Sequence, residues 1–308
     1  SDERIQPRWD ILFEAAKQNK LKYIFWLRSP FGNGKNNTFV IENLLNLQKL
    51  GVKFSPNITQ LYSINSKEYY LRMPKEMLVP SYSVYISEQA DIDALISRLP
   101  SIVDNFANDM TISKIRVKTG FSAHGEGSYT FNISSYKYKH RNYINNKIIN
   151  FIQKNNENTY IFQPYMNDYI MSVNNNYTKI KRTNQLFDGQ MTNEVRFFYV
   201  NGELYPKVVT SRINAIPKQK WIAIDKNNVS NPVLREYLIM AEKKANECLK
   251  WYKNYYGSFP LMLRIDVLLY GDKAYITEIE TESGIGPILC EGMICDERLK
   301  KTSKQHLK

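Results

Sequence analysis

The stretch LMLRIDVLLYGDKAYITEIETESG, residues 261–284, decides how the chain is read. It predicts two strands, Leu261–Tyr270 and Ala274–Glu280, joined by a tight turn. Arg264, Asp266, Glu278 and Glu280 all carry even numbers, and alternate residues of a strand share a face. The odd positions Leu263, Ile265, Val267, Leu269, Tyr275 and Ile279 are apolar, Thr277 being the exception, and are expected to face a core. Register decides whether the charges meet. A two-residue turn at Gly271-Asp272 pairs Asp266 with Thr277 and sends Glu278 to the opposite face. A three-residue loop, Gly271-Asp272-Lys273, pairs Asp266 with Glu278 and Arg264 with Glu280; directly opposed Cβ atoms lie about 4.5–5.5 Å apart. Three carboxylates that close repel one another unless a cation joins them. Hard oxygen ligands suit Mg²⁺ or Mn²⁺. The expectation is therefore the three-residue loop, with Asp266, Glu278 and Glu280 as metal ligands. The competing reading is a solvated charged face neutralised by Arg264 and nearby lysines.

Upstream, Ile115 and Val117 mark a strand that runs into Lys118 and the segment VKTGFSAHGEGS. Gly120, Gly125 and Gly127 make it a loop of small residues, whose backbone N–H groups can approach phosphate oxygens while the lysine supplies a point charge. The plain alternative is an exposed flexible loop. Two neighbouring motifs mislead. Gly32-Asn33-Gly34-Lys35 resembles part of a phosphate-binding P-loop, but Ser29 and Asn36 stand where that motif needs Gly and Ser or Thr. Lys118-Thr119-Gly120 lacks the Asp of the lysine nucleophile used by nucleotidyl-transferring ligases.

The remaining elements alternate. KYIFWL (22–27) predicts a buried strand, and SPFGNGKNN (29–37) a loop. A helix capped by Thr38 carries Val40, Ile41, Leu44, Leu45 and Leu47 and stops at Gly51, before a short strand, VKF. SYSVYIS (81–87) alternates like a strand; Ser87 then caps a helix with Ile92, Leu95, Ile96 and Leu99, which Pro100 ends or kinks. Thr159–Gln163 is a strand. Glu194–Val200 and Glu203–Thr210 flank Asn201-Gly202, a strong hairpin signal. Asn231-Pro232 opens a long amphipathic helix carrying Leu234, Leu238, Ala241, Ala245, Leu249 and Tyr252. No internal repeat interrupts the series.

Composition narrows the classes. With 43% hydrophobic and 23% charged residues among 308, the balance is globular, which sets aside disordered, collagenous and coiled-coil readings. No apolar run reaches the roughly 18–20 residues of a membrane span. Ser1-Asp2-Glu3-Arg4 does not read as a signal peptide. The three cysteines, Cys248, Cys290 and Cys295, include no C-x-x-C pair, so neither zinc nor a disulfide framework is expected, and a reducing, cytoplasmic compartment is. The formal charge of +12 favours acidic partners: nucleotides, acidic small molecules or peptides, with nucleic acid less favoured because a solvated basic face is commoner.

Taken together, these segments resemble the ATP-grasp superfamily over roughly Tyr62–Leu289. The resemblance rests on Lys118 with its glycine-rich flap, the hinge strand YIFQPYM, the hairpin VRFFYVNGEL, and the closing series R-x-D … E-x-E-x-x-S-G from Arg264 to Gly284. Glu280 stands where members of the superfamily typically have Asn, and Gln163 where the hinge is usually acidic. The fold implied is α/β (α+β), ATP-grasp-like: an N-terminal α/β substrate lobe (1–80), a small ATP-binding subdomain with the flap (81–162), and a metal-binding catalytic subdomain with a basic tail (163–308). ATP is gripped between the last two.

Carried over residue by residue, the resemblance implies that Lys118 contacts the α- and β-phosphates. Gly120, Gly125, Gly127 and Ser128 form the flap. Gln163 and Tyr165 line the adenine hinge, with Asp168 toward the ribose. Lys67 or Lys75 supplies the second nucleotide lysine. Asp266, Glu278 and Glu280 hold two Mg²⁺ ions, for which Mn²⁺ is an alternative, and Arg264 stabilises the reaction's oxyanion. Arg196, Lys207 and Arg212 add positive charge near the γ-phosphate or substrate; Ser283 and Gly284 follow where substrate is contacted. The implied activity is Mg·ATP-dependent activation of a carboxylate as an acyl phosphate for attack by an amine or similar nucleophile. The alternatives are a kinase or nucleic-acid end-joining enzyme of the same fold, or a binding module without turnover.

Overall fold

The computed structural model describes residues 8–26, 29–31, 37–109, 112–121, 127–134, 140–155, 157–166, 191–205, 207–212, 221–225, 232–270 and 273–281. They form three sheets, each with its own apolar core. The N-terminal part contains α1 (Trp9–Lys17), β1 (Tyr23–Phe25), α2 (Thr38–Lys49), β2 (Lys53–Ser55) and α3 (Ile58–Asn65). β1 and β2 pair in parallel, with Tyr23 opposite Lys53. Val40, Leu44 and Leu47 of α2 pack with Val52 and Leu61. The helix begins one residue before its sequence expectation: Asn37, not Thr38, is the N-cap. Gly51 follows its C-terminus at φ +86°, a conformation that costs glycine little. β1 is shorter than KYIFWL suggests, and Tyr23 is 52% exposed; a strand with one parallel neighbour among the described residues has little sheet to cover it.

A four-stranded antiparallel sheet follows, in the order β3 (Tyr82–Tyr85), β6 (Thr159–Pro164), β4 (Lys114–Thr119), β5 (Ser128–Asn132). Its core is Ile115, Val117, Phe131 and Phe162 against α5 (Gln89–Ala107) and α6 (Arg141–Asn155). Three expectations change here. Glu88, not Ser87, is the N-cap of α5. Pro100 does not end α5, which runs on to Ala107. A mid-helix proline costs about 3 kcal/mol, but Leu95 and Leu99 before it and Ile102 and Val103 after it are buried on one core face, and that shared burial holds the helix together. α6 has no counterpart in the sequence reading; its Asn- and Lys-rich composition hides Ile144, Ile148 and Ile152, which recur every four residues on the buried side.

The largest sheet has the order β10 (Trp221–Asp225), β9 (Lys207–Arg212), β7 (Met191–Val200), β11 (Met262–Tyr270), β12 (Lys273–Thr281), with β8 (Glu203–Leu204) beside β7. Asn201 and Gly202, at φ +52° and +82°, make the primed turn expected between β7 and β8. Helix α7 (Pro232–Tyr256) opens on its proline and lays Ala241, Ala245, Cys248 and Tyr252 against Ile265, Val267 and Ile276 of the sheet. No helix among the described residues is long and apolar enough to cross a membrane.

The deciding hairpin has the expected pairing by an unexpected route. Asp266 lies opposite Glu278 and Arg264 opposite Glu280. Yet Tyr270 pairs with Lys273, so Lys273 belongs to the strand, and the extra residue is a bulge at Thr277, between the Val267–Ile276 and Asp266–Glu278 pairs. The bulge explains why Thr277 breaks the apolar series. It also moves Tyr275, opposite Leu268, off the main core face to pack beside Val79 and Met166; Ala274 and Ile276 face the core instead.

Candidate active site

Strand parity builds both walls of the site. In β4 the odd residues are buried, leaving Lys114, Arg116 and Lys118 on the other face. In β11 and β12 beyond the bulge, Ile265 and Ile279 pair inward, and Arg264, Asp266, Glu278 and Glu280 share the opposite side. β7 adds Glu194 and Arg196, two residues apart on the strand that pairs with β11.

At the centre lies Asp266, 1% exposed. Arg264 grips it with two bonds, Nε to Oδ1 at 2.7 Å and Nη2 to Oδ2 at 3.0 Å, and reaches Glu278 Oε2 at 3.1 Å. Arg196 Nε stands 3.2 Å from Asp266 Oδ2. Lys118 comes from the other sheet, and its ammonium interacts with the carboxylates of Glu278 and Glu194. Lys67, buried at the turn after α3 with φ +57°, donates to the Gly120 carbonyl at 2.6 Å. Gly120 has no room for a side chain: a Cβ there meets the Ser66 carbonyl oxygen at 2.9 Å.

Titration follows from these contacts. Burial holds the Lys118 ammonium below its ordinary value, against the pull of Glu278. Burial would also raise Glu278, but Arg264, Lys67, Lys118 and Arg196 outweigh it and keep the carboxyl below the usual range. Arg264 is itself held firmly protonated, burial notwithstanding, by Asp266, Glu280 and Glu278. Burial raises Asp266 despite its two guanidinium neighbours. For Glu280, burial and the charge of Glu278 push the carboxyl up to about 7. A carboxyl whose native value exceeds its unfolded value binds its proton more tightly when folded, so stability falls as pH rises through that window. The denaturation midpoint of the metal-free chain is therefore expected to drop between about pH 5 and 8. Glu280→Gln is expected to flatten that slope, which thermal melts across the range will show.

Other expected residues fall into three groups. Gln163 pairs opposite Arg116 on β6; its buried Oε1 has no hydrogen-bond partner among the described residues. Tyr165 donates its N–H to the Lys114 carbonyl at 2.9 Å, with Lys114 Nζ 5.7 Å from its ring centre. Gly127 accepts from Thr119 N–H at 2.8 Å, and Ser128 Oγ accepts from Arg116 Nη2 at 2.9 Å, which closes the base of the flap. Lys75 sits exposed in a single 3-10 turn, Lys75–Met77; of the two candidate lysines it is Lys67 that interacts with Glu278 and Glu280. Lys207 and Arg212 lie on β9 with side chains outside the described residues, as are Gly125, Asp168, Ser283 and Gly284 altogether. Among the described residues no three acidic, His or Cys side chains form a ready-made metal cage. Asp266 is instead held by the guanidinium groups of Arg264 and Arg196.

The sequence reading missed Arg116 and Glu194. Both follow the parity rule applied elsewhere: KIRVKT and EVRFF alternate charged and apolar residues as plainly as LRID does.

No family model matches the chain, and no curated protein matches its sequence. Solved structures do match. D-cycloserine synthetase aligns with a TM-score of 0.52 at 11% identity, covering 94% of this chain and 87% of that one. D-alanine–D-alanine ligase from Bacillus anthracis, complexed with ATP, gives 0.50 at 14% identity, with 90% and 73% covered. N5-carboxyaminoimidazole synthetase from Staphylococcus aureus, complexed with ADP, gives 0.50 at 14%, with 89% and 58% covered. The likeness is one of fold, and the fold is α+β and ATP-grasp-like.

Proposed function

We propose that this chain, folded as the ATP-grasp ligases are, is a Mg·ATP-dependent ligase that activates a carboxylate for attack by an amine. One observation carries the proposal. Two cations, Lys118 of β4 and Lys67 from the turn after α3, act on Glu278 of β12, and Lys67 also on Glu280; Arg264 and Asp266 complete the carboxylate side on β11. Opposed charges of this kind suit a triphosphate on one side and its metal on the other.

The residues fit both groups. The buried, unpartnered Oε1 of Gln163 is an acceptor suited to an exocyclic amino group such as that of adenine. Glu278 and Glu280 offer hard oxygens, and Mg²⁺ usually takes one or two carboxylates and completes its shell with substrate phosphates and water. Bound Mg·ATP supplies the phosphoryl group and the Lewis acid. The chain's own residues do the rest. Lys118 and Lys67 neutralise phosphate charge, with Gly120, Gly127 and Ser128 at the base of the flap; Gly125 belongs to the same flap. Arg264 and Arg196 orient Asp266 and offer N–H donors where an oxyanion develops. Tyr165 directly follows strand β6; Asp168 is assigned to the ribose, and Lys207 and Arg212 to the γ-phosphate or substrate. Residues 1–80 are assigned to substrate selection.

In the reaction a substrate carboxylate oxygen takes the γ-phosphoryl group as the bond to ADP breaks. The amine then attacks the acyl carbon and phosphate leaves. The test is mass spectrometry of the chain with Mg·ATP and pooled carboxylates, amines and peptides. ADP and phosphate are expected only when both co-substrates are present. A phosphorylated product accumulating from one acceptor alone would show a kinase instead.

A further inference from the structure

The bulge at Thr277 is held from three directions. Tyr70, in the single-turn helix α4 (Tyr69–Arg72), donates its hydroxyl proton to the Thr277 carbonyl. The neighbouring Tyr69 hydroxyl accepts the Ile279 N–H at 3.1 Å. On the third side Thr277 Oγ1 lies 3.1 Å from Glu194 Oε2 and 3.2 Å from the Asp266 carbonyl oxygen. A hydroxyl has one proton, so these two acceptors share it.

Glu194 therefore reaches across β11, from β7 to β12. Its other oxygen, Oε1, accepts from Arg196 Nη2 at 3.1 Å, and Arg196 in turn stands against Asp266. One carboxylate thus joins the residue preceding Glu278 to the arginine that faces Asp266. Bulges beside active sites re-aim side chains, and a bulge this close to Glu278 needs a partner that sets its direction. Thr277 is 5% exposed and the Glu194 side chain 27%, so the contact is largely shielded from solvent.

We propose that Glu194 is a positioning residue: through Thr277 and Arg196 it sets the direction of Glu278 and the seat of Asp266, and so the affinity of the site for a divalent metal–nucleotide. This rests on the functional reading above, since it takes Glu278 as one of the metal's contacts. It differs from a merely structural role, which would lower stability but leave the folded protein's metal affinity alone. Residues that orient metal ligands typically alter affinity 10–100-fold.

The experiment is Mn²⁺ binding, followed by electron paramagnetic resonance, to the full chain with a non-hydrolysable ATP analogue. Melting temperatures are recorded in parallel, so that only folded protein is compared. Glu194→Ala and Thr277→Val are each expected to weaken Mn²⁺ binding about 10–100-fold. Thr277→Ser, which keeps the hydroxyl, is expected to restore parental affinity. The double variant is expected to be no weaker than the worse single one, because the two act through one contact. Unchanged affinity in both single variants, or fully additive losses, overturns the inference while the parent still binds. Failure of the parent to bind Mn²⁺ with the analogue overturns the functional reading and this inference with it.

Discussion

Lys118→Met is expected to reduce affinity for Mg·ATP by about two orders of magnitude or more, with turnover lost alongside. Truncating one member of an enclosed charge pair costs about 2–5 kcal/mol, and about 1.4 kcal/mol is tenfold. Lys118 is the last residue but one of β4, and its ammonium is the point charge that the small sheet presents to Glu278. Folding should survive the change. Glu278 keeps Arg264 at 3.1 Å, and the ammonium's own burial already works against its charge. The melting temperature is therefore expected to hold or rise while nucleotide affinity collapses, a split that titration with a fluorescent ATP analogue and a thermal melt measure together. Lys118→Arg should not rescue, because a planar fork does not replace a compact point charge. Parental nucleotide affinity in Lys118→Met would remove Lys118 from the site.

Arg264→Met is expected to act the other way round, first on stability. The guanidinium lies between Asp266, Glu278 and Glu280, binds Asp266 through two hydrogen bonds, and has a side chain 7% exposed. Removing one partner of a buried ion pair costs about 3–5 kcal/mol, a large share of the roughly 5–15 kcal/mol that holds a typical protein folded. The loss should depend on pH with a definite sign. Without Arg264, Asp266 and Glu280 titrate higher still and Glu278 loses its main downward pull, so the folded state favours their protonated forms more, and the deficit grows as pH rises. Urea denaturation at about pH 5 and about pH 8 is expected to show the larger loss at the higher value. Arg264→Lys should recover part of it, since the charge returns without the bidentate geometry. Equal stability of parent and variant at both values would mean that Arg264 is not what holds the carboxylates.

Much of the site was legible because strand parity is a local property. Arg264, Asp266, Glu278 and Glu280 stood out on even positions, and Lys118 near the end of an alternating strand. Arg116 and Glu194 obey the same parity and went unread only because no family role pointed to them. Lys67 and Lys75 looked equivalent, lying eight residues apart at the two ends of KEYYLRMPK. What separates them is a bend: Lys67 sits at φ +57° with its side chain turned to Gly120, and Lys75 stays exposed. α6 escaped because asparagines diluted its apolar face, and α5 was cut short because the penalty at Pro100 is visible in sequence whereas the core on both sides of it is not.

By itself, the sequence determined which residues share a face: side-chain direction alternates every second residue, and that needs no knowledge of the rest of the chain. It leaves two turn lengths open, of which the three-residue loop opposes Asp266 to Glu278 and gathers carboxylates that a metal can join. Only the tertiary structure decided how that pairing arises. The odd residue was absorbed at Thr277 and not in the turn, because Tyr70 and Glu194 bind the bulge there. Likewise only packing of one sheet against another could bring Lys118 to Glu278, 160 residues away. Register and the approach of sheets are set by contacts distant in sequence, and no local period encodes them.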